Sequence, residues 1–473
     1  LVNIHVSGAA QSPGPNLLCS IRPWGTLWLE HGSRAAARAG PAAHGGQAAG
    51  HTNQPTTQHH REETMVRRTA STTLLPAFVL AASLTAGLAH AQKSYGPGVT
   101  DTEIRIGQTM PYSGPASAYG VVGKAEAALF AKVNEEGGIN GRKIKLVSLD
   151  DGYSPPRTVE QTRKLVEEEQ VLFIYSSLGT PPNTAIQKYL NAKRVPQLFV
   201  STGATKWGDP QHFPWTMGWQ PYYQAESRTY AAYILKQRPN AKIGILFQND
   251  DYGKDYVKGF KDGLGDKAAS MIVAEVSYEV TDPTVDSQIV TLQASGADTF
   301  FNVTTPKFAA QAIRKAYDTG WKPVHFLNLV SASIASVLQP AGLEKAIGLI
   351  SAVYQKDPSD PEWKSDRATQ AFFAWAKKYL PDADPTDPYV AAGYSNAHTL
   401  LQALKQCGDE LTRENIMRQA ANLRNVEVPM LLPGILINTG PADFFPIEQL
   451  QLQRFDGKNW VRFGDLIDAT HRR

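Results

Sequence analysis

Two stretches of this chain end an apolar run in a burst of hydroxyls and small residues: IYSSLGTPPNT at 174–184 and FVSTGATKWGD at 199–209. In the first, Ser176, Ser177 and Thr180 stand at the mouth of a helix, where partial positive charge and unpaired N–H groups suit a carboxylate. The same residues also suit plain helix capping, with Pro181 and Pro182 fixing the first turn. In the second, Gly203 permits close backbone approach and Thr205 adds a hydroxyl. Two such mouths on one sheet point to a shared anion site. Tyr112 and Tyr119 in MPYSGPASAYG, and Tyr252 in QNDDYGKDY, leave strands in opposite halves of the chain. Their rings and hydroxyls either close over a ligand from both sides or sit half-buried at loop bases. Asp250 with Asp251, and Asp150 with Asp151, read as helix caps with solvated neighbours.

Signatures of catalysis are missing, with no G-x-S-x-G elbow, Walker loop or H-E-x-x-H pair in the chain. GLGDKA, from Gly263, matches a dinucleotide fingerprint in letters, yet it closes a helix where such a motif should open one. The histidines beyond the leader show no ligand spacing. The expectation is a protein that is not an enzyme and takes no cofactor and no metal. A net charge of +3 without a Lys/Arg block gives no phosphate-tracking groove, so nucleic acid is not an expected partner.

Elements must hold these groups in place, and the chain supplies them in alternation. From Glu103 onward the short apolar strands EIRIGQTM, KIKLVSLD, VLFIYSS and VPQLFVST are interleaved with amphipathic helices near 124–134 and 185–191. After Trp219 the pattern restarts with a helix near 225–235, followed by KIGILFQ, MIVAEVSY, DTFFNV and VHFLNL, each separated from the next by a helix. Residues 357–423 are mostly helical, and IEQLQLQRFDGKNWVRFGDLI reads as a hairpin turning at Asp456-Gly457. This is an α/β pattern of two doubly wound, Rossmann-like lobes, in which a ligand lies outside the carboxyl ends of the strands.

At 473 residues the chain exceeds one ordinary core. Residues 1–64 show no apolar period and read as a non-native or disordered leader. In the following segment, 65–91, Arg67 and Arg68 precede an uncharged apolar run ending in Ala89-His90-Ala91. That is the layout of a secretory signal peptide, with initiation at Met65, cleavage after Ala91 and a periplasmic mature chain. The run is shorter than the ~20 residues of a membrane span, and no cysteine follows it to carry a lipid. Cys19 and Cys407 are the two cysteines, so the exported part holds no disulfide.

IGQTMPYSGPASAYG, NEEGGINGRKIKLVSLDD, STGAT and NDDYGKDY follow one another in a characteristic order. From about Glu103 to its end the chain resembles the type I periplasmic solute-binding proteins of ABC importers, in the leucine/isoleucine/valine-binding branch. The resemblance implies two lobes joined by three crossovers and closed by hinge motion. Crossovers then fall near 219–223, 352–356 and 429–435, giving lobe one as 101–220 and 355–430 and lobe two as 221–354 and 431–473. The ligand contacts carried over are Ser177, Gly203 and Thr205 for a carboxylate, with Tyr119 from lobe one and Tyr252 from lobe two. The implied partners are a small organic carboxylate and a permease–ATPase complex in the inner membrane, served by a monomer; an extracytoplasmic sensor of the same fold is the alternative. One position departs from the branch. Where amino-acid binders hold the ammonium with a carboxylate, HFLNLVSASIASVLQPAG puts Val330. A desolvated ammonium without a counter-charge is costly. Either Asp250 or Asp251 takes that task, or the ligand has no ammonium; an aromatic or apolar acid is the expectation, and a branched-chain or other amino acid the alternative. The cysteine pair of some relatives is replaced by Tyr153 and Ser176.

Overall fold

The computed structural model describes residues 93–469. The leader and the signal peptide read from the sequence lie outside the described residues. A two-residue strand, β1 (Ser94–Tyr95), opens them. The first sheet follows, with β2 (Glu103–Met110), β3 (Lys143–Asp150), β4 (Ile174–Tyr175), β5 (Gln197–Val200) and β6 (Thr216–Gly218), parallel throughout in the order β3-β2-β4-β5-β6. Helices α1 (Gly120–Glu135), α2 (Pro155–Arg163) and α3 (Thr180–Ala192) connect its strands. Next come α4 (Tyr223–Gln237), β7 (Ile243–Gln248), α5 (Asp251–Leu264), β8 (Ile272–Tyr278), β9 (Thr299–Val303), β10 (Val324–Leu327) and β11 (Ile350–Val353). The chain then pairs β12 (Glu410–Leu411) with β1, and closes on the hairpin β13 (Gln449–Phe455) and β14 (Trp460–Asp468). The second sheet has the order β14-β13-β11-β10-β9-β7-β8, parallel except for the hairpin.

Burial follows position in the sheet. Strands β9 and β11 are buried along their whole length, the polar Asn302 and Ser351 included, as expected where helices cover both faces. The edge strand β8 alternates, and its outward Glu275 pairs with Lys261 at 2.8 Å, which blunts the edge. Helix Pro388–Cys407 returns to the first sheet: Asn396 Nδ2 donates to the Phe199 carbonyl at 3.0 Å and to Ser176 Oγ at 3.2 Å. The chain therefore passes between the sheets three times, after β6, after β11 and before β13. The second and third passages run side by side, since Gln355 bridges Leu431 and Lys356 N donates to the Met430 carbonyl at 2.8 Å.

The α/β alternation read from the sequence stands, with differences at the strands. VLFIYSS is a strand only at Ile174–Tyr175, because Ser176 sits at φ 48° and turns the chain off the ladder. Strands β1, β6, β11 and β12 are additional to those expected. Among the described residues, no helix is long and apolar enough to cross a membrane.

Candidate functional site

The first strand exit turns inward. Ser177 Oγ accepts from Thr109 N at 3.1 Å and from Thr109 Oγ1 at 2.9 Å, and its carbonyl accepts from Asn183 Nδ2 at 2.7 Å. Ser176 Oγ reaches Glu126 Oε1 at 2.5 Å and Ser201 Oγ at 2.6 Å, while Gln108 Nε2 holds the other Glu126 oxygen at 2.5 Å. Burial pushes the Glu126 carboxyl up to about 8. What remains toward the cleft is Gly179, Thr180 and Ser201. Gly179 adopts φ 95°, and a Cβ there would lie 2.4 Å from the Tyr153 ring, so only glycine lets that ring stack against the loop. Prolines 181 and 182 lack N–H groups, so the start of α3 offers few backbone donors and hydroxyls take a larger share.

The second exit turns across the cleft. Thr205 N and Oγ1 both donate to Asp255 Oδ2 on α5, at 2.8 and 2.9 Å. Beside it, Lys206 Nζ and Thr184 Oγ1 donate to Asp251 at 2.6 and 3.3 Å. Gly203 lies under the first crossing: its carbonyl accepts from Tyr223 N at 2.7 Å, and a Cβ would meet the Pro221 carbonyl at 2.4 Å. The loop after β10 supplies the matching contacts farther along. The Val330 carbonyl accepts from Tyr119 OH at 2.9 Å and from Tyr389 OH at 2.8 Å, and Ser333 and Ser336 donate to Asp387 at 3.1 and 2.5 Å. Residues of the two sheets' loops are thus latched together in a closed arrangement.

Between them lies a cavity of about 110 Å3. Its wall is rich in rings, Tyr119, Tyr153, Trp219, Tyr223, Tyr252, Tyr354, Tyr389 and Trp460, with Leu329, Val330 and Ala332 from the loop after β10. Burial holds the hydroxyls of Tyr119, Tyr252 and Tyr389 far above their ordinary pKa, so they act as neutral donors. Tyr252 OH donates to the Thr304 carbonyl at 3.1 Å, and its ring meets Tyr223 edge-on at 5.4 Å. Asp357 is the acidic side chain on the wall; burial raises its carboxyl, which accepts from Ser359 N and Oγ at 2.8 and 2.7 Å.

Of the residues carried over from the sequence, Tyr119 and Tyr252 line the cavity, and Ser177, Gly203 and Thr205 do not. Ser177 faces its own lobe, Gly203 is roofed by the crossing, and Thr205 spends both donors on Asp255; Thr180 and Ser201 take the wall positions instead. Asp250 is the N-cap of α5, accepting from Tyr252 N and Gly253 N, and Asp251 is held low, first by its bond to Lys206, so neither reaches the cavity. Val330 does line it, with no acid in its place. Tyr354, Asp357, Tyr389 and Trp460 line the cavity without any local motif to mark them. Their only signal was that the first two flank or lie within an expected crossover.

A model of the family described as periplasmic binding protein matches residues 103–459. The chain is 22% identical over 337 residues to Leu/Ile/Val-binding protein homolog 7 of Brucella abortus, covering 67% of this chain and 81% of that protein. Two solved structures share the fold. A branched chain amino acid ABC transporter from Thermus thermophilus with bound valine has a TM-score of 0.70 at 15% identity, covering 78% of this chain and 97% of its own. A fatty acid ABC transporter substrate-binding protein from Thermomonospora curvata has a TM-score of 0.66 at 21% identity, covering 80% and 95%. Two α/β lobes, joined by three chain crossings, thus enclose a ring-lined cavity. The chain belongs to the periplasmic binding protein family, in its Leu/Ile/Val-binding branch. That membership carries an exported, periplasmic setting, a small-molecule ligand and an ABC transporter as partner.

Proposed function

We propose that this protein, a monomer released by cleavage near Ala91, captures a small organic carboxylate with an aromatic or apolar body and delivers it to a membrane permease–ATPase. The observation that supports this is the wall formed by Leu329, Val330 and Ala332, where the Val330 carbonyl already accepts two tyrosine hydroxyls. An ammonium arriving there would be desolvated with no counter-charge. The carboxylate belongs at the opposite wall, at Thr180 and Ser201, with Tyr119 and Tyr252 closing over the body. A closed cavity of about 110 Å3 suits a compact body better than a long chain. Closing excludes water, so discrimination resides in the closed cavity.

A second reading, an amino acid, is favoured by one feature: Asp357 brings a carboxyl to the wall. Thermal unfolding of the purified protein with benzoate, cinnamate, leucine or valine separates the two, because a ligand that binds only the folded form raises the melting temperature. Benzoate or cinnamate should stabilise it most. Selective stabilisation by leucine or valine, lost in Asp357→Asn, would establish the amino-acid reading instead.

A further inference from the structure

The part of the cavity built by the chain crossings carries two polar atoms that a carboxylate at Thr180 and Ser201 leaves unused. Among the described residues that line the cavity, Gln220 and Gln355 alone hold a buried side-chain polar atom without a hydrogen-bond partner: Nε2 of Gln220, a donor, and Oε1 of Gln355, an acceptor. Gln355 is only 7% exposed. Its Nε2 donates to the Pro388 carbonyl at 2.8 Å, so turning the amide over would set oxygen against oxygen, and the direction of Oε1 is fixed. Its backbone is further held by the bridge to Leu431.

Gln220 is placed by its neighbour. The Trp219 indole N–H donates to Thr399 Oγ1 at 2.9 Å, and the same ring meets Tyr354 edge-on at 5.9 Å. Trp219 precedes Gln220 and Tyr354 precedes Gln355, so the first two crossings lie alongside each other where those rings meet, and both glutamines line the cavity. Buried polar groups are nearly always paired, and one left unpaired has lost its water for nothing. A pair on a ligand cavity is most simply completed by the ligand.

We infer that this hinge wall is a second polar subsite, reading a hydroxyl on the part of the ligand away from its carboxylate. The hydroxyl gives its proton to Gln355 Oε1 and accepts from Gln220 Nε2. An ammonium could not accept from Gln220, a second carboxylate would face the Gln355 oxygen and Asp357, and a methyl group would leave both amides unpaired. The inference rests on the carboxylate reading of the same site.

The test is calorimetric binding of 4-hydroxybenzoate and 4-hydroxycinnamate, each against its 4-methyl counterpart of similar size. A site built to bond a hydroxyl rejects the analogue that lacks it, so in at least one pair the hydroxy acid should bind about tenfold tighter or more. Gln355→Met should erase that preference while the methyl acid stays within about threefold, and Gln355→Glu, which keeps an acceptor, should retain it in part. Gln220→Leu should erase the accepting half and lower the preference. Binding of both members of each pair with equal affinity overturns the hinge subsite and leaves the carboxylate reading intact. Failure of all four acids to bind overturns both.

Discussion

The two strand exits of the first lobe look alike as sequence, hydroxyls and glycine after an apolar strand, and do opposite work in the molecule. The exit at 176–180 is tied downward, Ser176 to Glu126 and Ser177 to Thr109, and it makes the lobe rigid. The exit at 201–205 is tied outward, Thr205 to Asp255 of the other lobe. One set of bonds exists in any state of the lobe; the other exists only when the lobes meet. A hydroxyl's type therefore does not reveal whether it supports the fold or its movement, and its partner does.

The largest effect should come from the inward exit. Burial raises Glu126 to about 8 and Glu226 to about 7, against an ordinary 4.5. The folded protein then keeps protons that the unfolded chain has released, so both groups stabilise it fully below their unfolded pKa, and that stabilisation is lost as pH rises through about 7 and 8. Glu126→Gln cannot ionise. In urea melts it should reduce the decline between about pH 5 and pH 9 by on the order of 2 kcal/mol or more, leaving the share that belongs to Glu226. A slope equal to that of the unmodified protein would show that Glu126 titrates as an exposed acid.

Next in size is the outward exit. Asp255→Ala removes an acceptor that receives two bonds from across the cleft. Bonds to a charged group contribute roughly 1.5–3 kcal/mol, so affinity for whichever acid stabilises the protein should fall about tenfold or more, with little change in unfolding of the free protein. Equal affinity would mean that closure does not depend on this latch. The smallest effect should be that of Ser177→Ala, which costs about 1 kcal/mol of stability and leaves affinity within about twofold. Loss of binding at unchanged stability would return Ser177 to the ligand.

The layers of this fold were legible because strand and helix leave different apolar periods: EIRIGQTM and KIGILFQ become β2 and β7, and the hairpin turns at Asp456-Gly457 as expected. Short elements were less so. The four residues of β11 are a strand because β10 and β13 pair with them, a fact of tertiary structure rather than local pattern. The site was half legible. Tyr119 and Tyr252 stand at loop bases next to motifs that can be read locally. The wall residues Tyr354, Tyr389 and Trp460 arrive through crossings that join distant segments, as Trp219 meets Thr399, and no local spacing encodes such a meeting. Ser177 turns inward because side-chain direction at a strand exit depends on φ, and Ser176 turns through φ 48°, whereas Thr205 turns outward to Asp255, a partner distant in sequence.

Two hydroxyls of one lobe grip the Val330 carbonyl of the other, and that grip involves no solute. A solute enclosed behind that grip can leave no sooner than the grip parts, so its release should be limited by the frequency with which those tyrosines let go, and Tyr119→Phe or Tyr389→Phe should quicken it.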